Sequence, residues 1–223
     1  MESGNTKYDS RNGCNAIIST SDNTLIVGCK NTTIPNSVTT IGENAFRECS
    51  GLTSVTIGNS VTSIGRSSFK GCSSLTSVNI PSSTTTIGKN AFSGCTGLTS
   101  VTIGNGVTSI GNGAFSLCRG LTSVTSFIQE PFEINEYVFS VYSSATLYVP
   151  EGTKAKYEAT PAWNQFQNIV EINPSGIEAA SHNGGKATVT ERYTLDGKRV
   201  SAGLRGLNIV RMSDGTVRKE LVR

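Results

Sequence analysis

Six cysteines are the residues of this chain best suited to chemistry. Four of them, Cys49, Cys72, Cys95 and Cys118, recur every 23 residues. A thiol can ligate a metal or form a disulfide, and each role demands a geometry. Zinc needs four ligands converging on one point, whereas a fixed period in a stacked chain sets sulfurs in a line. The column therefore reads as small buried side chains with weak S–H donors. Occasional disulfides are the alternative, and no metal site is assigned. Residues 14–18 and 25–29 read as a β-hairpin turning at Ser21-Asp22. That register sets Ile18 against Leu25, Ala16 against Val27 and Cys14 against Cys29, all on one face. Cys14 and Cys29 are thus a disulfide candidate in an oxidising compartment, and otherwise a pair of buried thiols. The single histidine, His182, argues against histidine-based catalysis. Carboxylates do not recur at convergent positions, and no Gly-rich phosphate loop is present. No catalytic residue and no cofactor is assigned, so the expectation is a protein that is not an enzyme.

The elements that position these side chains follow from an internal repeat. Residues 34–56, 57–79, 80–102 and 103–125 align without a gap, and ten of the 23 columns are identical in all four copies. They include Ile41/64/87/110, Gly42/65/88/111, Phe46/69/92/115, Cys49/72/95/118, Leu52/75/98/121 and Val55/78/101/124. A repeat this short cannot bury its own apolar face, so successive copies must stack as coils of a solenoid. Leu52-Thr53-Ser54-Val55-Thr56-Ile57 is β-branched and ends in period-2 alternation, which predicts a strand with Leu52, Val55 and Ile57 inward. Val38–Ile41 reads as a shorter second strand, ended by Gly42 in a left-handed turn. Glu43–Cys49 is too short for a stable isolated helix and is placed as a single helical turn docking Phe46 and Cys49. Strand spacing predicts a rise of roughly 4.8 Å per coil.

The outward strand positions are Ser54, Thr56, Ser77, Asn79, Ser100, Thr102, Ser123 and Thr125. Stacked on the concave face, they form two ladders of hydroxyls with almost no charge. Such a face lacks the aromatic and Arg anchors of protein hot spots. It suits a low-affinity contact multiplied over many copies, or it serves only strand propensity and solubility.

The segment LTSVTIGNSVTSIGRSSFKGC resembles the BspA-like class of bacterial leucine-rich repeats in its Ile, Val and Leu spacing, and the Ala-Phe-x-x-Cys element of that class stands at residues 45–49, 91–95 and 114–118. The resemblance covers residues 34–125 closely. It implies a mainly β, right-handed leucine-rich-repeat superhelix with parallel strands and short helical turns. It also implies an exported bacterial surface protein, of the Bacteroidetes type, that binds or adheres to a host or neighbouring-cell protein or glycan. A structural spacer without a specific ligand is the rival reading. Two positions depart from the pattern: Ser68 stands where the other copies have Ala, and Thr84 replaces an inward Val.

Composition narrows the classes further. The chain has 223 residues, 24 glycines, 16% charged residues and a net charge of +3. Charge this low does not argue for nucleic acid, and no apolar run is long enough to span a membrane. The first residues carry no secretory signal, so an extracellular location requires that a leader was removed. Residues 1–33 are expected to cap one end. Residues 126–173 are expected to cap the other, with Thr146–Pro150 as an edge strand closed by its proline. There Trp163 covers the last coil or stacks a ligand. Residues 174–186 read as a linker. Residues 187–223 form a small basic β module whose Asp196-Gly197 and Asp214-Gly215 pairs are hairpin turns. Tyr193, Asp196, Gly197, Lys198 and Gly206 there resemble the C-terminal sorting module of type IX secretion. Asn31-Thr32-Thr33 fits a glycosylation sequon. The oligomeric state is not legible in the sequence.

Overall fold

The computed structural model describes residues 5–172 and, beyond them, four strands between residues 189 and 222. The chain divides into two compact units, Met1–Glu171 and Ile172–Arg223.

The first unit begins with β1 (Tyr8–Asp9), β2 (Ile17–Ser19) and β3 (Thr24–Val27). Each 23-residue coil then contributes up to two short strands. One set is β4 (Thr40–Ile41), β5 (Ser63–Ile64), β7 (Thr86–Ile87) and β9 (Ser109–Ile110). The other is β6 (Ser77–Ile80), β8 (Ser100–Ile103) and β10 (Ser123–Ser126). The chain continues through β11 (Thr146–Pro150), α1 (Lys154–Ala159) and β12 (Asn168–Ile172). Two sheets result, ordered β1-β2-β3-β4-β5-β7-β9 and β12-β11-β10-β8-β6. Coil-to-coil pairs are parallel and step by 23 residues: Ile64 faces Ile87, and Val101 faces Val124. The fold is a β-solenoid in which every coil repeats the inward side chains of the one below.

The aromatic column shows the stacking directly. Phe46, Phe69, Phe92 and Phe115 form a single file with ring centroids 4.9, 5.0 and 5.3 Å apart and planes within 7°. The rise expected from strand spacing is thus met. The file has a fifth member, Phe139, at 5.2 Å, and β11 pairs in parallel with β10. Stacking therefore runs one coil beyond the sequence identities. Between Phe115 and Phe139 the period is 24, but Val124 to Leu147 is again 23, so the extra residue is absorbed within one coil. β11 is flanked by β10 and β12 and is not an edge. Its proline is tolerated because it is the last strand residue.

Three local expectations are corrected. Residues 54–57 form no strand and lie outside the ladder. Nothing below them templates a strand, because residues 29–32 form a turn closed by Thr32 N–H to the Cys29 carbonyl (3.0 Å). Glu43–Cys49 is not a helical turn. Asn44 and Glu48 are left-handed, with φ of 57° and 58°, as are Ser67, Asn90, Gly71, Gly94 and Leu117 at the equivalent positions. These kinks aim the N–H groups of Asn44, Phe46 and Glu48 at the next coil, onto the carbonyls of Arg66, Ser68 and Lys70 (3.0, 2.6 and 2.7 Å). Finally, Gly42 and its equivalents are not left-handed. They are glycines because coils approach too closely for a side chain. A Cβ at Gly88 would stand 2.6 Å from the Arg66 nitrogen, and one at Gly111 would stand 2.4 Å from the Lys89 nitrogen.

Both ends are closed. Gly28 lies against the open face of Phe46 and donates its N–H to the Ala45 carbonyl (2.9 Å); a Cβ there would sit 2.1 Å from the ring. At the other end Phe139 meets Trp163 at 5.8 Å and Phe166 at 5.3 Å. Trp163 is fully buried and its indole donates to the Phe132 carbonyl (3.0 Å), so it is a cap residue and offers no face to a ligand.

The second unit is an antiparallel sheet ordered β14-β13-β15-β16, from β13 (Val189–Tyr193), β14 (Arg199–Val200), β15 (Gly206–Met212) and β16 (Val217–Val222). Tyr193 ends β13 and Gly206 opens β15. Asp196, Gly197 and Lys198, the Asp214-Gly215 turn, the linker and His182 lie outside the described residues.

Candidate binding face

The outward positions of the second sheet are built by strand alternation. In β6, β8 and β10 the inward residues are Val78, Ile80, Val101, Ile103 and Val124, all buried, which leaves their neighbours pointing out. Backbone pairing sets Ser77 beside Ser100 and Ser100 beside Ser123, and likewise Asn79, Thr102 and Thr125. Six of the eight expected residues are therefore brought together. Ser54 and Thr56 are exposed but stand outside the ladder. Both rows extend to residues not expected from the sequence: Thr146 follows Ser123, and Tyr148 follows Thr125. The signal for them was the alternation of Leu147 and Val149, which are buried. Asn168 lengthens the first row by donating from its side-chain amide to the Thr146 hydroxyl (2.8 Å). No charged residue stands in Ser77–Ser100–Ser123–Thr146 or in Asn79–Thr102–Thr125–Tyr148. Among the described residues, no hydrogen bond within the chain engages the side chains of Ser77, Asn79, Ser100, Thr102, Ser123 or Thr125.

Other threonine columns look similar in sequence and do different work. Thr99 and Thr122 each donate a hydroxyl to the carbonyl of the residue 23 earlier (3.0 and 3.3 Å), and Thr62, Thr85 and Thr108 do the same along the first sheet (3.2, 3.2 and 3.3 Å). Those hydroxyls hold coils together. Thr84, the departure from Val, is buried and donates to the Val61 carbonyl (2.9 Å). Ser68 is buried with no partner for its hydroxyl.

The thiols are structural. Cys72, Cys95 and Cys118 donate to the carbonyls of Phe46, Phe69 and Phe92 (3.2, 3.2 and 3.1 Å). Their sulfurs run along the file and do not converge. Contacts with Cys118 and Cys72, together with burial, push the Cys95 thiol well above its ordinary value, which removes it as a nucleophile. Burial also raises Cys49. Cys14 and Cys29 are both free. A bulge between Ile17 and Ile18 places Ile17, not Ala16, opposite Val27, so the register that would oppose the two cysteines is lost. Cys14 is buried with its sulfur 3.8 Å from the Ala16 carbonyl; Cys29 is exposed and lies 3.5 Å from the Asn15 carbonyl. Asn31 is exposed.

Comparison with known proteins agrees with this geometry. The family model for the BspA-type leucine-rich repeat region matches residues 26–147 in six copies. No curated protein matches the chain. A leucine-rich cell-surface protein from Faecalibacterium prausnitzii has a similar structure, at 28% identity and a TM-score of 0.61, covering 70% of this chain and 43% of its own. A leucine-rich-repeat protein from Eubacterium ventriosum (23% identity, TM-score 0.54, 66% and 40% covered) and the pneumococcal vaccine antigen PcpA (19%, 0.54, 77% and 49%) share the fold. The chain thus spans less than half the length of each of these structures. No helix among the described residues is long and apolar enough to cross a membrane. Six matched copies, the phenylalanine file and the 23-residue register together make this chain a member of the BspA-type leucine-rich repeat family.

Proposed function

We propose that the chain is a non-enzymatic surface-binding or adhesion scaffold, and that its two-row face contacts a protein or glycan on a host or neighbouring cell. The observation that carries this reading is the contrast between threonine columns. Thr99 and Thr122 spend their hydroxyls on the preceding coil, whereas Ser77, Asn79, Ser100, Thr102, Ser123 and Thr125 keep their side chains turned outward without an internal partner. The description of a structurally similar protein as a cell-surface protein supports the location. Many weak, equivalent contacts gain strength when several are engaged together. Replacing Ser77, Ser100 and Thr102 by Lys abolishes attachment to host cells, matrix proteins or glycan arrays while the melting curve stays that of a folded solenoid. If attachment survives that triple change, the face is not the site. If the unmodified protein attaches to nothing, the display-scaffold reading holds. The pattern of Tyr193, Asp196, Gly197, Lys198 and Gly206 supports an export-sorting role for residues 187–223. Deleting them then retains the product inside the cell; unchanged surface display rejects that role.

A further inference from the structure

The sequence holds four Asn-Gly pairs: Asn12-Gly13, Asn105-Gly106, Asn112-Gly113 and Asn183-Gly184. The last lies outside the described residues. In such a pair the asparagine side chain is open to attack by the backbone nitrogen that follows, because glycine places no Cβ beside it. Asn12, Asn105 and Asn112 are all exposed, so the asparagines themselves do not differ. Their glycines do. Gly13 is exposed, and a Cβ built on it would meet nothing within 4 Å. A Cβ on Gly106 would collide with the Ser82 carbonyl oxygen, and one on Gly113 with the Asn90 side-chain oxygen. Gly113 is also buried, and the Asn112 carbonyl accepts the Asn90 N–H (3.0 Å). Those two pairs are pinned between coils. Asn12 and Gly13 are instead left-handed, at φ of 58° and 62°, inside a 3-10 turn of three residues. So short a turn has little cooperativity and opens locally at small cost.

We propose that Asn12-Gly13 is a site of spontaneous covalent modification, at which water converts Asn12 to aspartate and isoaspartate through a cyclic imide. The Gly13 nitrogen gives up its proton and bonds to the Asn12 side-chain carbonyl carbon. The bond from that carbon to the side-chain nitrogen breaks, and ammonia leaves carrying the proton. Water then opens the imide at either carbonyl. Opening at the side-chain carbonyl gives aspartate, and opening at the backbone carbonyl gives isoaspartate with a main chain one atom longer. One amide is exchanged for one carboxylate, and no electrons are transferred. Ring closure swings the peptide between residues 12 and 13 off its path, which the open space around Gly13 permits and the packing of Gly106 and Gly113 resists. The new charge arises beside Arg11. That guanidinium already holds the Asp9 carboxylate (2.8 Å), the Asn23 side-chain oxygen (2.8 Å) and the Ser37 hydroxyl (3.2 Å). The modification thus places a second anion next to the residue that ties the N-terminal segment to the first coil. It does not depend on the two-row face binding anything.

Timed incubation of the full chain in mildly alkaline buffer, followed by cleavage after lysine, tests this. Cleavage separates residues 8–30 from residues 90–154 and 157–186, so each pair is read apart from Asn183. Peptide masses report every exchange of NH for oxygen, and fragmentation assigns it to a residue. The expected result is that Asn12 converts roughly tenfold or more faster than Asn105 or Asn112, because those two wait on the opening of packed coils. In denaturant the three rates converge. Asn12→Gln, whose ring would need six members, leaves residues 8–30 unmodified. An Asn12 that stays intact while the denatured chain converts overturns the proposal. So does an Asn105 or Asn112 that keeps pace with it in the folded protein, or conversion within residues 8–30 that falls on Asn15 or Asn23.

Discussion

Replacing Ser68 by Ala should stabilise the protein. The Ser68 hydroxyl is fully buried and has no hydrogen-bond partner, while the equivalent positions hold Ala45, Ala91 and Ala114, buried to within 3%. A buried hydroxyl without a partner costs about 1–3 kcal/mol. Alanine removes that cost and leaves a methyl group that the neighbouring coils already accommodate twice over. In a chain of this size each kcal/mol moves the melting temperature by roughly 2–4 °C. Denaturant unfolding of wild type and Ser68→Ala, followed by circular dichroism, reads the difference as a shift in midpoint at constant slope. The reverse change, Ala91→Ser, should cost a similar amount. A neutral or destabilising Ser68→Ala, or a harmless Ala91→Ser, would refute the argument that the coils treat these positions as equivalent.

Other outcomes follow from the same geometry. Gly28→Ala drives a methyl into Phe46, whose ring is pinned by Phe69 at 4.9 Å, and should cost about 1–3 kcal/mol as an overpacked site; calorimetry on the variant checks it. Leu117→Gly relieves a left-handed backbone at φ 58°, worth about 1–2 kcal/mol against roughly 0.5–1 kcal/mol of glycine entropy, so a small net gain in melting temperature is expected. Burial raises the Tyr157 phenol above its ordinary value. The folded state therefore holds its proton more tightly than the unfolded chain, whose tyrosines titrate near about 10. That contribution is fully present below pH of about 10 and is lost as pH rises from there toward the folded value. The melting temperature of wild type should fall more steeply above that pH than that of Tyr157→Phe. Equal slopes would exclude Tyr157 as a source of alkaline instability.

The period, the inward columns and the file of phenylalanines were legible in the sequence because each is repeated four times, and repetition turns a weak local preference into a register. Residues outside that repetition were harder to read. Phe139 was hidden because its coil is one residue longer between Phe115 and Phe139 and shares few identities with the others. The hairpin register failed at a bulge between Ile17 and Ile18 that no residue type announces. Glycine was legible as a type but not as a cause: Gly88 reads like a turn residue, yet its role is the 2.6 Å approach of a neighbouring backbone, a relation between coils that one coil cannot display. The outward rows were half visible for the same reason. Ser100 and Thr102 follow from alternation, but that the hydroxyl of Thr99 is spent on the coil below depends on which carbonyl stacking brings within reach.

The upper surface of residues 80–102 fits the lower surface of residues 103–125, and those two segments are nearly the same sequence. An extra copy duplicated in frame would therefore find its counterpart waiting on either side. It would lengthen the molecule by one step of about 5 Å, the separation of Phe69 from Phe92, without a single compensating change elsewhere. Reach is a quantity that gene duplication can adjust here in whole increments, while a partial copy would set glycine against side chain and be rejected.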